Sequence, residues 1–191
     1  MTYFDIPYFS NSGIKGEMQF SSPLALEIGT QFDNLVCGVP QPAVPEFVWE
    51  MFQRFNAHQI GASMVKARQE GKAQFQHEFY RVITLRGQAV GIKIKPDFLI
   101  KGVMQIDLKT TAASTINGIE SAIKNLDYLV QMGLYHKVAR VKQSGLFFIS
   151  KTSQQVYYRP CTPAELEWGW QEFLRRLEDY ITINGLWAPE V

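Results

Sequence analysis

Helical and strand-like patterns succeed one another along this chain in a way that predicts an α/β fold. Three observations carry that reading. The first third holds stretches with helical apolar spacing. Residues 73–111 are dense in aromatic and β-branched residues broken by glycine turns. A helical stretch over 117–140 is then followed by two further strand-like runs and a closing helix. With 191 residues, 46% of them hydrophobic, the chain can bury a real core as one domain over 1–191. Its expected parts are a helical region over 1–72, a sheet region over 73–160 with a long helix over 117–140, and a C-terminal helix within 161–191.

In order, Ser10 to Gly13 offers turn or N-cap chemistry. Leu24, Ile28, Phe32, Leu35 and Val36 then keep helical spacing. A proline-punctuated connection over 38–45 leads to two more helical stretches, Glu46 to Asn56 and Gln59 to Glu70, closed by Gly71. His58 between them has no second ligand at a metal-binding spacing and reads as a solvated or capping residue. Ala73 to Leu85 reads as one strand, Arg86-Gly87-Gln88 as a turn, and Ala89 to Asp97 as the next strand. From Asn117 to Arg140, Ile119, Ile123, Leu126, Val130 and Leu134 follow one helical face, with Gln131 and Tyr135 four residues apart on another. Two strands, Gly145 to Ser150 and Gln155 to Arg159, come next. Thr162, Pro163 and Glu165 then open the last helix with a capping box. That helix runs to about Ile183, and its stripe from Leu166 to Ile181 reads as core packing.

The most informative stretch is Ile94 to Thr111, where two apolar runs flank Lys101-Gly102 and predict a β-hairpin. Along the second run Met104, Ile106 and Leu108 share one face, and Gln105, Asp107 and Lys109 share the other. A two-residue turn would put Asp97 and Asp107 on opposite faces of the sheet. One extra residue in the turn sets them directly opposite, and this bulged register is the one predicted. Facing carboxylates repel, so the arrangement makes sense with a divalent cation between them, and carboxylate oxygens suit Mg²⁺ or Mn²⁺.

Composition narrows the classes. Cys37 and Cys161 are too few and too far apart for a disulfide framework or a zinc site. There is no apolar run of membrane-spanning length, and the first five residues lack a basic region followed by an apolar one. No signal peptide, no membrane association and a reducing cytoplasm are therefore expected. The formal net charge is only +1, but residues 86–142 carry nine Lys or Arg against four Asp or Glu. Phosphate contacts need that kind of local excess; ordinary solvated lysines would account for it equally.

Pro96-Asp97 followed by Asp107-Leu108-Lys109 resembles the PD-(D/E)xK nuclease signature. Asp107 to Thr111, with Gln131 and Tyr135 downstream, resembles the RecB-type branch and within it the RecE (exonuclease VIII)-like exonucleases. Tyr8 to Ser12 resembles openings in the same group, and the resemblance spans roughly residues 8–140. It implies a restriction-endonuclease-like core, a central mixed sheet of about five strands flanked by helices. It also implies Mg²⁺- or Mn²⁺-dependent hydrolysis of DNA phosphodiester bonds. Asp97, Asp107 and the Leu108 carbonyl would hold metal, and Lys109 would orient the attacking water or stabilise the phosphate. Gln131 and Tyr135 would border the site.

Relatives often carry Gly-Thr-x-x-His on a helix, where this chain has Gly29, Thr30 and Asp33; Asp33 is the candidate extra ligand or else a surface aspartate. Glu78, and less so His77, are further candidates. Duplex ends as substrate, ring-shaped homo-oligomers and a single-strand annealing partner also follow from the resemblance alone. A structure-specific endonuclease and an inactive DNA-binding or structural module of the same fold remain open. So does a purely structural network of Asp97, Asp107 and Lys109.

Overall fold

A computed structural model describes residues 8–15 and 22–187, so the opening five residues, read above for a leader, lie outside the described residues. After a one-turn helix α1 (Asn11–Ile14) come α2 (Pro23–Cys37), α3 (Glu46–Ala57) and α4 (Gln59–Gln69). The strands β1 (Gln74–Phe75), β2 (Phe79–Leu85), β3 (Gln88–Ile94), β4 (Phe98–Ile100) and β5 (Met104–Thr111) follow. Helices α5 (Ile116–Asn125) and α6 (Tyr128–Ala139), strands β6 (Gln143–Ser150) and β7 (Val156–Pro160) and helix α7 (Pro163–Ile183) complete the chain. The expected caps are present: Ser10 accepts from Gly13, His58 Nδ1 accepts from the Ile60 N–H, and Thr162 forms its capping box with Glu165.

The mixed α/β architecture has a five-stranded sheet in the order β1-β4-β5-β6-β7. Only β5 and β6 are parallel, joined through α5 and α6; the other pairs are antiparallel. Both faces of this sheet are covered, and the central strand β6 is accordingly apolar on both sides, whereas β5 is apolar on one face only. Phe98, Ile106, Leu108, Phe147 and Ile149 pack against α2, α3 and α4. Leu146 and Phe148, on the opposite face, pack with Ile119, Ile123, Met132 and Leu166. A separate two-stranded sheet, β2-β3, lays Val90, Ile92 and Ile94 against Val130, Leu134, Phe173 and Leu177 of the α6–α7 pair. No described helix is long and apolar enough to cross a membrane.

The expected bulged hairpin is observed. Val103 donates to the Ile100 carbonyl at 3.0 Å, and Gly102 takes a left-handed φ of 69°. The β4–β5 partners are Phe98 with Ile106, Leu99 with Gln105 and Ile100 with Met104. That register carries Asp97 to the position opposite Asp107.

Two expected elements are instead divided. The single strand over 73–85 breaks at Gln76, whose φ is 49°, so β1 joins the main sheet while β2 pairs with β3. The single helix over 117–140 breaks into α5 and α6 at Asp127, whose φ is 56°. Aspartate tolerates the left-handed region better than most residues, and Arg176 of α7 holds its carboxylate at 2.9 and 3.2 Å. The apolar spacing runs through the break, because Ile119 and Ile123 serve one core and Val130 and Leu134 another.

Helices α6 and α7 cross with their backbones in contact. A Cβ at Gly169 would lie 2.0 Å from the Leu129 carbonyl oxygen, and one at Gly133 would lie 2.3 Å from the Trp170 nitrogen. Alanine at Gly169 is therefore expected to destabilise the fold by about 3 kcal/mol through overpacking. Alanine at Gly71, left-handed but with open space around it, should cost only about 1 kcal/mol. Urea unfolding of the two variants checks the difference.

Candidate active site

The alternation read from the hairpin places Asp107 and Lys109 on the β5 face that looks toward α6, while Ile106 and Leu108 point into the core under α2–α4. Asp107 is buried, at 1% exposure. Its Oδ1 accepts from Gln131 Nε2 at 3.3 Å, and its Oδ2 has the Lys109 ammonium at 2.5 Å. Gln131 also donates to the Tyr135 hydroxyl at 3.0 Å, so the two residues do project together from α6. Lys109 lies over the Tyr128 ring, 5.1 Å from its centroid. Gln105, on the same face, donates to Ser144 Oγ, which is 2.9 Å from His136 Nδ1; this polar row thus continues beneath the site.

Asp97 stands at the start of β4, where Pro96 cannot extend the preceding strand. Its Oδ2 accepts from the Leu108 N–H at 2.7 Å, and its Oδ1 accepts from Gln76 Nε2 at 2.6 Å. Asp33 arrives from α2. A Cβ on Gly29 would lie 3.3 Å from Thr110 Oγ1, so the glycine brings this helix against the end of β5, and Asp33 follows one turn later.

Electrostatics bind these groups into one unit. Burial pushes the Asp33 carboxyl up to about 7, with Lys109 opposing and Asp107 adding to the rise. Burial, and then the Asp107 charge, hold the Asp97 carboxyl well above the usual carboxylate range, against the pull of Lys109 and the Leu108 N–H. For Lys109 burial works against the charged form, but Asp107 and Asp97 outweigh it and keep the ammonium protonated. Burial and the Asp107 charge likewise raise Tyr135, which stays a phenol.

Among the described residues, no three His, Cys, Asp or Glu side chains already converge as a metal cage. The donor set nevertheless fits a hard divalent ion. Asp107 Oδ2 is buried and met by the Lys109 ammonium at 2.5 Å. Asp97 and Asp33 are both carboxylates held in a form that an added cation would relieve.

Beside the carboxylates a cleft of about 340 Å³ is lined by Lys109, Gln131 and Tyr135, together with Ser10, Lys15 and Lys95. Of the basic residues in 86–142, Lys95 and Lys109 reach this cleft, whereas Lys137 pairs with Glu167 on α7. Glu78 accepts from the Tyr80 hydroxyl at 2.7 Å and lies 3.4 Å from Lys95 of the same cleft. His77 packs edge-on against Phe79. A larger cleft of about 550 Å³, near Arg54 and Gln154, is lined by none of the site residues. Sequence reasoning missed Gln76, Lys15 and Tyr128. Only the Ser10–Ser12 phrase, noted for its resemblance, hinted that the N-terminal segment reaches the cleft.

No protein-family model and no curated protein sequence matches this chain. Among solved structures, a candidate exonuclease from Eubacterium rectale is similar over 92% of this chain and 73% of its own, with a TM-score of 0.62 and 17% identity. A phage-related exonuclease from Haemophilus somnus 129PT has a TM-score of 0.47 at 12% identity, covering 94% of this chain and 96% of its own. An alkaline exonuclease from Laribacter hongkongensis has a TM-score of 0.38 at 16% identity, covering 93% and 91%. The first of these establishes a shared fold.

A pH dependence follows from Asp33. Its raised pKa means that the folded, metal-free protein binds this proton more tightly than the unfolded chain does. The contribution of Asp33 to stability should therefore fall as pH rises from about 4 to about 7 and stay flat above. Asp33→Asn should match the wild type at pH 4 in EDTA. At pH 8 it should melt higher, by roughly 2–4 °C for each kcal/mol of penalty relieved. Calorimetric scans at the two pH values test this.

Proposed function

We propose that this chain is a metal-dependent DNA nuclease of the PD-(D/E)xK type, most closely a RecE-like exodeoxyribonuclease acting on duplex ends. The observation that supports the reading best is the bulged hairpin: its register carries Asp97 to the position opposite Asp107, with the Lys109 ammonium beside Asp107 Oδ2 and Gln131 on Oδ1. Two carboxylates directly opposite each other in a sheet destabilise it, so the arrangement has little structural use without a cation between them.

Phosphodiester hydrolysis needs an activated water, neutralised phosphate charge and a stabilised leaving oxygen. Asp97, Asp107 and the Leu108 carbonyl would hold Mg²⁺ or Mn²⁺, with Asp33 as a further oxygen donor. When bound, such an ion supplies positive charge to a phosphate oxygen and acidifies water. Lys109, held charged by its neighbours, would donate hydrogen bonds to the phosphate as negative charge develops on it. Gln131 fixes Asp107 by occupying Oδ1. The Tyr135 phenol and the lysines at the cleft would meet the incoming strand, Lys15 and Lys95 as phosphate contacts.

End-labelled linear duplex and closed circular DNA, incubated with Mg²⁺ or Mn²⁺, test the proposal. Linear DNA should be degraded and the circle spared, and EDTA should abolish the reaction. Lys109→Ala should lower the rate on the order of 100-fold or more. Cutting of the circle would shift the assignment to an endonuclease of the same fold. If neither DNA is degraded, binding of DNA would leave the inactive-module reading, and absence of binding would leave the purely structural network of Asp97, Asp107 and Lys109.

A further inference from the structure

The β1–β4 register has a consequence at the site. Gln74 pairs with Leu99 and Phe75 with Phe98, so the next position sets Gln76 opposite Asp97. The Gln76 N–H indeed donates to the Asp97 carbonyl at 3.3 Å, and its side-chain amide donates to Oδ1 at 2.6 Å. Residues directly opposite in an antiparallel pair share a face. Gln76, Asp97 and Asp107 therefore form a lateral row across β1, β4 and β5, an amide followed by two carboxylates.

The backbone of Gln76 is what permits this two-point grip. Its φ of 49° is uncommon for a side-chain-bearing residue. The break it makes frees β2 for the other sheet while leaving the Gln76 amide against Asp97. The choice of residue also has a physical meaning. A lysine or arginine here would neutralise Asp97 and compete with any cation. A neutral amide fixes one oxygen of the carboxylate and leaves its negative charge in place.

Resting on the metal-dependent reading above, we propose that Gln76 is a positioning residue that sets the affinity of this site for divalent cations. It acts through Asp97, holding Oδ1 while the Leu108 N–H holds Oδ2, so that the carboxylate meets the ion in one orientation. Glu78, the acidic residue nearby in sequence, does not occupy this row; it is engaged by Tyr80 and Lys95.

The test is calorimetric titration of Mn²⁺ into EDTA-stripped full-length protein, with circular dichroism and melting in EDTA as controls for folding. Gln76→Ala should weaken Mn²⁺ binding about tenfold or more, the usual cost of removing a group that orients a metal ligand. Gln76→Glu, which keeps the side-chain shape and adds a third carboxylate to the row, should tighten it. The Mg²⁺ concentration giving half-maximal nuclease activity should move in the same directions. If the wild type binds Mn²⁺ and both folded variants bind it equally well, the inference about Gln76 is overturned and the nuclease reading survives. If the wild type binds no Mn²⁺, both fall together. Should Gln76→Ala fail to fold, Gln76→Glu decides alone, and unchanged affinity in that variant overturns the inference.

Discussion

Asp97 and Asp107 face each other across β4 and β5, and much of the structure around them offsets the repulsion between them. Cβ atoms of directly opposite residues lie about 5 Å apart, at which two unit charges repel by about 3 kcal/mol for an effective dielectric of roughly 20. Burial adds to that cost. Each oxygen is answered separately: Gln76 and the Leu108 N–H serve Asp97, while Gln131 and Lys109 serve Asp107. Even so, the compensation is incomplete. Asp97 and Asp33 keep raised proton affinities even with these partners in place. A site built this way is stable as protein yet still favours an additional cation.

The helices exist in positions that serve this strand face. Helix α6 can present Gln131 to Asp107 because it is short and separately oriented, starting at the left-handed Asp127 that Arg176 of α7 grips. It is in turn seated by the crossing at Gly133 and Gly169, where backbone meets backbone. Gly133 lies between Gln131 and Tyr135 in sequence, so the surface that packs on α7 and the surface that meets the carboxylates belong to the same two turns. On the other side Gly29 does the equivalent for Asp33, by letting α2 lie against Thr110 at the end of β5. Small residues at contact points thus convert helix packing into placement of polar groups.

Polar residues on the inner face of β5 form a continuous line. Gln105, Asp107 and Lys109 are spaced two apart, and each finds its own partner: Ser144 on β6 for the first, Gln131 and the Tyr128 ring on α6 for the other two. This explains how a central strand, covered on both faces, tolerates three polar side chains. Gln105 Oε1 is the exception, buried without a partner among the described residues.

How much of this was legible beforehand differs by element. The helices α2, α3, α4 and α7 followed from apolar spacing and caps, because those signals act over a few residues. The hairpin register followed too, since Gly102 and the strict alternation of β5 leave few ways to bury Ile106 and Leu108 together. The division of the 73–85 strand and of the 117–140 helix did not follow. Gln76 and Asp127 carry ordinary local propensities, and their left-handed backbones are sustained by partners far away in the chain, Asp97 and Arg176. The sequence by itself thus determined the α/β order, the caps of α1, α4 and α7, and the register that sets Asp97 opposite Asp107 with Lys109 on the same face as Asp107. Only the tertiary structure decided that Gln76 completes the row, that Gln131 meets Asp107 from α6, and that Glu78 is engaged by Tyr80 and Lys95. Those placements depend on sheet order and helix crossing, which arise from contacts between distant segments that no local pattern encodes.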